Sequence, residues 1–182
     1  MNLVDLINKI LAGLTIAGQV IFLVLLICLI FSRKSKAFQP LVKFVTDRAI
    51  IFSLIIALTA TLGSLFYSEI AGYEPCKLCW FQRIFMYPQV IILIIALAKK
   101  DQRINDYTLV LSIIGGLIAA FHYFSQVSGI SLLPCAAIGY SVSCARRFVM
   151  EFGYLTIPLM SLSAFALIFI FAVYQKIFGR KV

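Results

Sequence analysis

Four cysteines at two spacings carry the clearest chemistry in this chain. Cys76 and Cys79 form a C-x-x-C pair within CKLCWFQRIFMYP, and Cys135 and Cys144 enclose the eight residues AAIGYSVS. A bond across C-x-x-C closes so small a ring that it restrains the unfolded chain very little. Its better use is redox chemistry: at the start of a helix the positive end of the dipole stabilises a thiolate and lowers the thiol pKa. Pro75 before the pair and Trp80 after it mark a passage from loop to helix at a membrane interface, where Trp is favoured. A Cys135–Cys144 disulfide would close a small, polar loop open to attack by another protein's thiol. Zinc is the competing use of four cysteines. The C-x-x-C half suits it, but the wider spacing of Cys135 and Cys144 does not resemble a second zinc knuckle. The fifth cysteine, Cys28, sits within VLLICLIF and reads as a small packing hydrophobe.

Three further polar residues belong with the first pair. Arg83 follows Cys79 by four residues and so lies on the same helical face, one turn deeper. An arginine at mid-bilayer costs about 2.5–3.5 kcal/mol and less near the interface. It either snorkels to headgroups or supplies a fixed positive charge to a thiolate or an anionic ligand. Gln82 adds a polar group at the same depth. His122, the single histidine, continues the stripe Ser112, Gly115, Ala119, whose small residues suit close helix packing. Two antiparallel helices would bring Arg83 and His122 to similar depth, as parts of a ligand site or as a histidine hydrogen-bonded within the bundle. Pro88 removes a helical hydrogen bond and should kink its helix, freeing the Ile84 carbonyl.

The elements that position these groups are membrane helices. The chain has 182 residues, 63% of them hydrophobic and 13% charged, with mean hydropathy +1.05. Soluble domains are about 45–50% apolar and about 25% charged. Five apolar runs, roughly 10–31, 49–70, 80–98, 107–128 and 154–175, are each long enough to cross about 30 Å of hydrocarbon. The first run is too long for a signal peptide, and RKSK follows it in place of a small-residue cleavage site. The expected organisation is an N-terminal membrane helix with a basic loop over 1–48 and a four-helix membrane domain over 49–182.

The net charge of +9 could indicate nucleic acid, but the basic residues cluster between the apolar runs. Arg33, Lys34, Lys36, Lys43, Arg48, Lys99, Lys100, Arg103, Lys176, Arg180 and Lys181 fall on one face, eleven of the sixteen Lys and Arg. The positive-inside rule makes that face cytoplasmic. The loops near 71–79 and 129–153, with all four loop cysteines, then lie outside, in a compartment where disulfides persist.

The segments PCKLCWFQRIFMYP, FHYFSQ, PCAAIGYSVSC and FGYLTIPLMSLSAFALI resemble the DsbB/BdbC family of disulfide-formation proteins, the BdbC-like branch especially, over roughly residues 50–175. The resemblance implies a four-helix bundle in the bacterial cytoplasmic membrane, here with one additional N-terminal helix. It implies an enzyme that reoxidises an extracytoplasmic thioredoxin-like oxidase (DsbA/BdbD-like) and passes electrons to a membrane quinone, ubiquinone or menaquinone, without a metal. It makes Cys76–Cys79 the quinone-side disulfide, with Cys79 next to the quinone and Arg83 beside both; from their depth in the bundle, His122 and Gln82 are the further candidate quinone contacts. It makes Cys135–Cys144 the partner-side disulfide, with Cys135 forming the mixed disulfide.

Three other functions suit parts of the pattern. An outward carrier of reducing equivalents needs thiols within the spans or inside, where only Cys28 qualifies. A non-enzymatic membrane protein stapled by disulfides leaves Arg83 and the tiny C-x-x-C ring without a purpose. A vitamin K epoxide reductase-like enzyme shares the four-helix logic, but CWFQRIFMYP fits it less well.

Overall fold

A computed structural model describes residues 2–32, 38–101, 103–129 and 143–179. Five helices account for most of them: α1 (Leu3–Phe31), α2 (Gln39–Leu65), α3 (Lys77–Lys99), α4 (Ile104–Ser128) and α5 (Ile157–Phe178). All five are long and apolar enough to cross a membrane. No strand occurs among the described residues beyond an isolated bridge between Glu151 and Leu155. The five runs read from the sequence are therefore the five helices, with different ends. α2 begins ten residues earlier than its apolar run, because Pro40 suits a first helical turn. Lys43, Asp47 and Arg48 then interrupt the hydropathy without interrupting the helix. A single π-helical turn, Phe66–Ile70, closes the C-terminal end of α2. α5 starts only at Ile157, after Phe152 and Gly153 with φ of 51° and 80°.

α5 is the central element, packed against α4, α2 and α1, and α3 bridges α2 and α4. It is the most enclosed helix, with Phe165, Ile168, Ile170 and Tyr174 essentially without exposed surface. The outward faces of the other helices carry exposed Leu, Ile, Val and Phe, the pattern that hydrocarbon rather than water requires.

The stripe on α4 performs the packing its residue sizes suggested. Ser112, Gly115, Ala119 and His122 are all buried, and the Phe165 ring lies so close over Gly115 that an added Cβ would collide with it. Gly115→Ala should therefore destabilise the bundle by about 1–3 kcal/mol through overpacking. Gly116→Ala, whose Cβ would meet Phe165 at an ordinary 3.6 Å, should leave the thermal midpoint nearly unchanged. Thermal unfolding in detergent distinguishes the two.

Polar ties fix the register of the helices. Ser112 Oγ donates to Gln89 Oε1 at 3.1 Å, and Gln89 Nε2 donates to the Phe85 carbonyl at 2.9 Å, one turn from Pro88 in the interior of α3. At the C-terminal end of α4, Arg147 Nε donates to the Gln126 carbonyl at 2.9 Å, and its Nη2 donates to the same oxygen. This satisfies a carbonyl that the end of α4 leaves without a helical partner and complements the negative end of the dipole. Tyr73 stacks between Tyr67 and Phe148 at centroid distances of 5.8 and 5.0 Å. These contacts pin the described part of the loop between α4 and α5, and with it Cys144, onto the bundle.

Candidate functional site

The C-x-x-C pair sits where its motif requires. Cys76 is the N-cap of α3, with extended backbone, and Lys77 begins the helix. The structure holds the pair as a dithiol, with the two Sγ atoms hydrogen-bonded at 3.3 Å. It thus describes the reduced form of a pair that the sequence places in a resting disulfide. Cys28 is a buried free thiol on α1, where its packing role requires it. Cys135 lies outside the described residues. Cys144 is disulfide-bonded.

Cys76 and Cys144 belong to one buried cluster with Leu78. Their exposures are 4% and 2%, so the two loops bring their cysteines together in a place closed to water. His122 bridges them. Gln82 Nε2 donates to His122 Nδ1 at 2.9 Å, which leaves the ring proton on Nε2. That nitrogen lies 3.1 Å from the Cys144 carbonyl oxygen and 3.5 Å from Cys76 Sγ. Gln82 therefore sets the tautomer, and His122 turns its N–H toward both cysteine loops. Near the same spot, Gln126 Nε2 donates to the Arg146 carbonyl at 3.0 Å.

This surrounding acts on the Cys76 thiol, which is held down to about 4. The hydrogen bond from Cys79 is the main cause; burial opposes it, and the His122 contact adds to it. A free thiol titrates near 8.5. The depressed value therefore stabilises the folded dithiol form fully above that pH, and the contribution is lost as pH falls toward about 4. In reduced protein, the thiolate absorbance that disappears in Cys76→Ser should titrate with a midpoint near 4. A midpoint in the ordinary thiol range would mean that the hydrogen bonds do not hold a thiolate.

Cys79 packs against the edge of that cluster and also reaches the opposite side. With Gln82 and Arg83 it lines a cavity of about 380 Å³ bounded by α1, α2, α3 and α5. The spacing 79, 82, 83, 86 places these residues and Met86 on one face of α3. Arg83 is tied to α2: Nε donates to Ser64 Oγ and Nη2 to the Ser64 carbonyl, both at 3.0 Å. Its guanidinium lies 5.1 Å from the centroid of the Trp80 ring, within cation–π range. Tyr87 Oη donates to the same Ser64 hydroxyl at 3.2 Å. The matched depth of Arg83 and His122 thus resolves into two faces of α3. Arg83 turns to α2 and the cavity, while His122 meets Gln82 and Cys76 on the α4 side.

Ser64, Tyr67 and Tyr87 also line the cavity and were not singled out by sequence. Nothing marks Ser64 within its apolar run, because its role depends on which helix stands opposite Arg83. The cavity suits an amphiphile. Cys79, Gln82, Arg83 and Tyr67 gather at its end nearest the cysteine loops, and Phe52, Leu167 and Phe171 line its far part.

Cys76, Cys79 and His122 also place three ligand atoms within 4.8 Å of one another, close enough to hold a soft cation. Oxidation of the pair would remove two of those ligands. The four-cysteine zinc set is not formed, because Cys144 is in a disulfide.

Comparison with known proteins agrees with this geometry. The family described as disulfide bond formation protein DsbB matches residues 46–175. Disulfide bond formation protein C of Bacillus subtilis (strain 168) is 47% identical over 131 residues, covering 71% of this chain and 91% of that protein. The SPbeta prophage-derived disulfide bond formation protein B of the same strain is 50% identical over 109 residues, covering 60% and 72%. A probable disulfide formation protein of Chlamydia caviae is 36% identical over 129 residues, covering 70% and 91%. No solved structure matches the chain. The matched region runs from α2 through α5 and contains both cysteine pairs, His122 and Arg83, so that site and comparison agree: the chain belongs to the DsbB family.

Proposed function

We propose that this protein is a membrane disulfide oxidoreductase that takes electrons from an extracytoplasmic thioredoxin-like thiol oxidase and delivers them to a membrane quinone. Disulfide bonds in exported proteins are then the final product of the pathway it serves. One observation carries the reading. Cys76 meets Cys144 and His122 in a dry cluster, while its partner Cys79 faces a cavity that also contains Arg83. A C-x-x-C pair so placed has one sulfur toward a second cysteine pair and the other toward an acceptor.

The cavity fits a quinone in size and polarity, and a quinone supplies a two-electron sink soluble in the bilayer. Ubiquinone and menaquinone share that chemistry. Arg83, Gln82 and Tyr67 would hold the ring end near Cys79. The loops that carry the cysteines are placed outside the cell by the distribution of basic residues.

The test is quinone reduction by purified protein, with a reduced thioredoxin-like protein as electron donor. Donor oxidation coupled one-to-one to quinone reduction is the expected result. A protein that exchanges disulfides with the donor but reduces no quinone would refute the acceptor assignment, and one that does neither would be a stapled scaffold. Impermeant thiol reagents should modify loop cysteines in intact, reduced cells. Labelling that requires entry to the cytoplasm would invert the orientation.

A further inference from the structure

The site described so far belongs to α2–α5, the helices that the family match covers. α1 lies outside that match, yet it forms one side of the acceptor cavity. Leu11, Leu14, Thr15, Gly18 and Ile21 line it, and their spacing of three, four, seven and ten residues is one stripe of a helix. Where α1 is absent, this side of the cavity would face lipid.

The packing of α1 explains how it can serve as a wall. It is held firmly on α5. Gly18 lies against Leu167, where an added Cβ would sit 2.8 Å from Cδ1. Gln19 Nε2 donates to Ser163 Oγ at 3.1 Å, and Tyr154 Oη donates to Gln19 Oε1 at 3.2 Å. Against α2, by contrast, α1 makes few contacts, among them Leu11 beside Gly63. The cavity thus has a tight α1–α5 seam and a loose α1–α2 seam that can open toward the bilayer.

The polarity of the lining assigns an occupant to the space. Its charged and thiol groups, Arg83 and Cys79, lie with Gln82 and Ser64 at the end near the cysteine loops, and the hydroxyls of Thr15, Thr59 and Ser163 are turned back onto helix carbonyls. From Ser64 inward to Phe52 on α2 is twelve residues, about 18 Å of helix. From Leu11 to Ile21 on α1 is about 15 Å. Leu14, Ile21, Phe52 and Phe171 along that length offer only hydrocarbon contact. A compact, water-soluble oxidant would leave this stem empty, whereas a ring carrying an apolar tail would fill both parts.

We propose that α1 is the tail-binding wall of the acceptor site: it seats the apolar tail of a lipid-soluble quinone against α2 and α5, and the tail passes through the loose seam between α1 and α2. The assignment rests on the acceptor reading above and adds selectivity for tailed over tail-less quinones.

Trp80 is the single tryptophan and stacks on Arg83 at the ring end of the cavity, so its fluorescence reports binding without turnover. Full-length protein is titrated with a prenylated benzoquinone and with the same ring lacking the tail. The parent should bind the tailed ligand at least about tenfold more tightly after correction for partition into detergent. Thr15→Phe places bulk in the stem and should reduce that preference about tenfold while leaving the tail-less ring within about twofold. Ala17→Phe, at an exposed position that also lines the cavity, repeats the test should Thr15→Phe disturb the fold. Gly13→Phe adds the same bulk on α1 where no neighbouring atom lies within 4 Å and should behave as the parent. A parent with equal affinity for both ligands overturns the assignment while leaving the acceptor reading intact. So do lining variants with the parent's preference, or variants that lose ring and tail binding alike. A parent that binds neither ligand overturns both.

Discussion

Cys144→Ser is expected to abolish electron delivery to quinone and to accumulate protein covalently joined to its thiol donor through Cys135. The proposed order of exchange produces this result. A thiolate of the donor attacks Cys135, forms a mixed disulfide and releases Cys144 as a thiolate. Cys144 then attacks the Cys76–Cys79 disulfide at Cys76, its neighbour in the buried cluster, and releases Cys79. The second donor thiol displaces Cys135 from the mixed disulfide, so the donor leaves oxidised. Cys135 next attacks the Cys144–Cys76 bond, which restores Cys135–Cys144 and leaves Cys76 and Cys79 as the dithiol. Two electrons and two protons have then moved from the donor to the first pair, and in the proposed function a quinone would take them up as the Cys76–Cys79 bond re-forms.

In that proposed order His122 would serve both exchange steps. Its Nε2–H reaches toward Cys76 Sγ and the Cys144 carbonyl, so it holds the two loops together and can stabilise the charge that Cys76 carries as a leaving group. Without the Cys144 sulfur, Cys135 is a free thiol; its thiolate attacks the disulfide of the oxidised donor, one S–S bond breaking as the mixed disulfide forms, and no Cys144 thiolate is present to resolve that bond. Non-reducing electrophoresis and peptide mapping should find the donor on Cys135, with turnover reduced to background. A donor trapped at Cys76 would reverse the order of the pairs. Unimpaired turnover would show that Cys135 reaches the first pair directly.

Much of this site was legible because its parts are local. C-x-x-C at a helix start, Arg83 one turn on and the small-residue stripe of α4 each express a short-range spacing, and the structure places each at the position its spacing demands. The five spans were legible for the same reason, since about twenty apolar residues encode a crossing in themselves. What the sequence did not disclose depends on packing between distant segments. Ser64 becomes the partner of Arg83 only because α2 stands beside α3. His122 and Arg83 share a depth, which antiparallel helices make predictable. Their division between two faces of α3 follows from the different helices they meet, and no spacing encodes that. The start of α2 was hidden because Lys43, Asp47 and Arg48 lower hydropathy without lowering helix propensity. The cavity wall formed by α1 was hidden because Leu14, Thr15 and Ile21 are ordinary membrane-helix residues until α5 fixes their direction.

Arg83→Leu is expected to slow quinone reduction by about 100-fold, the scale seen when a preorganised donor to a developing charge is removed, while donor exchange at Cys135 and Cys144 continues. The guanidinium is fixed on three sides. Two of its donors bind Ser64, its face lies over Trp80, and α3 carries it one turn beyond Cys79. A charge held this way needs little reorganisation when negative charge develops in the cavity, on the Cys79 sulfur or on the acceptor oxygens. Leucine removes that charge and leaves the Ser64 hydroxyl to Tyr87 alone. Insertion into the membrane should not suffer, because a cation near the hydrocarbon is itself unfavourable. Arg83→Lys separates charge from geometry. The ammonium keeps the charge but cannot donate from two positions of a planar fork to Ser64 while stacking on Trp80, so an intermediate loss of about tenfold is expected. Ser64→Ala provides the converse test, since it keeps the arginine and removes one of its anchors, and it should fall between the parent and Arg83→Leu. The measurement is quinone-reduction rate against quinone concentration for all three variants, with donor mixed-disulfide formation followed in parallel. If Arg83→Leu reduces quinone at the parent rate, the arginine is a headgroup anchor and the charge that assists the acceptor must come from elsewhere. If donor exchange falls together with quinone reduction, Arg83 supports the exchange site as a whole, and the separation of the two faces of α3 does not hold.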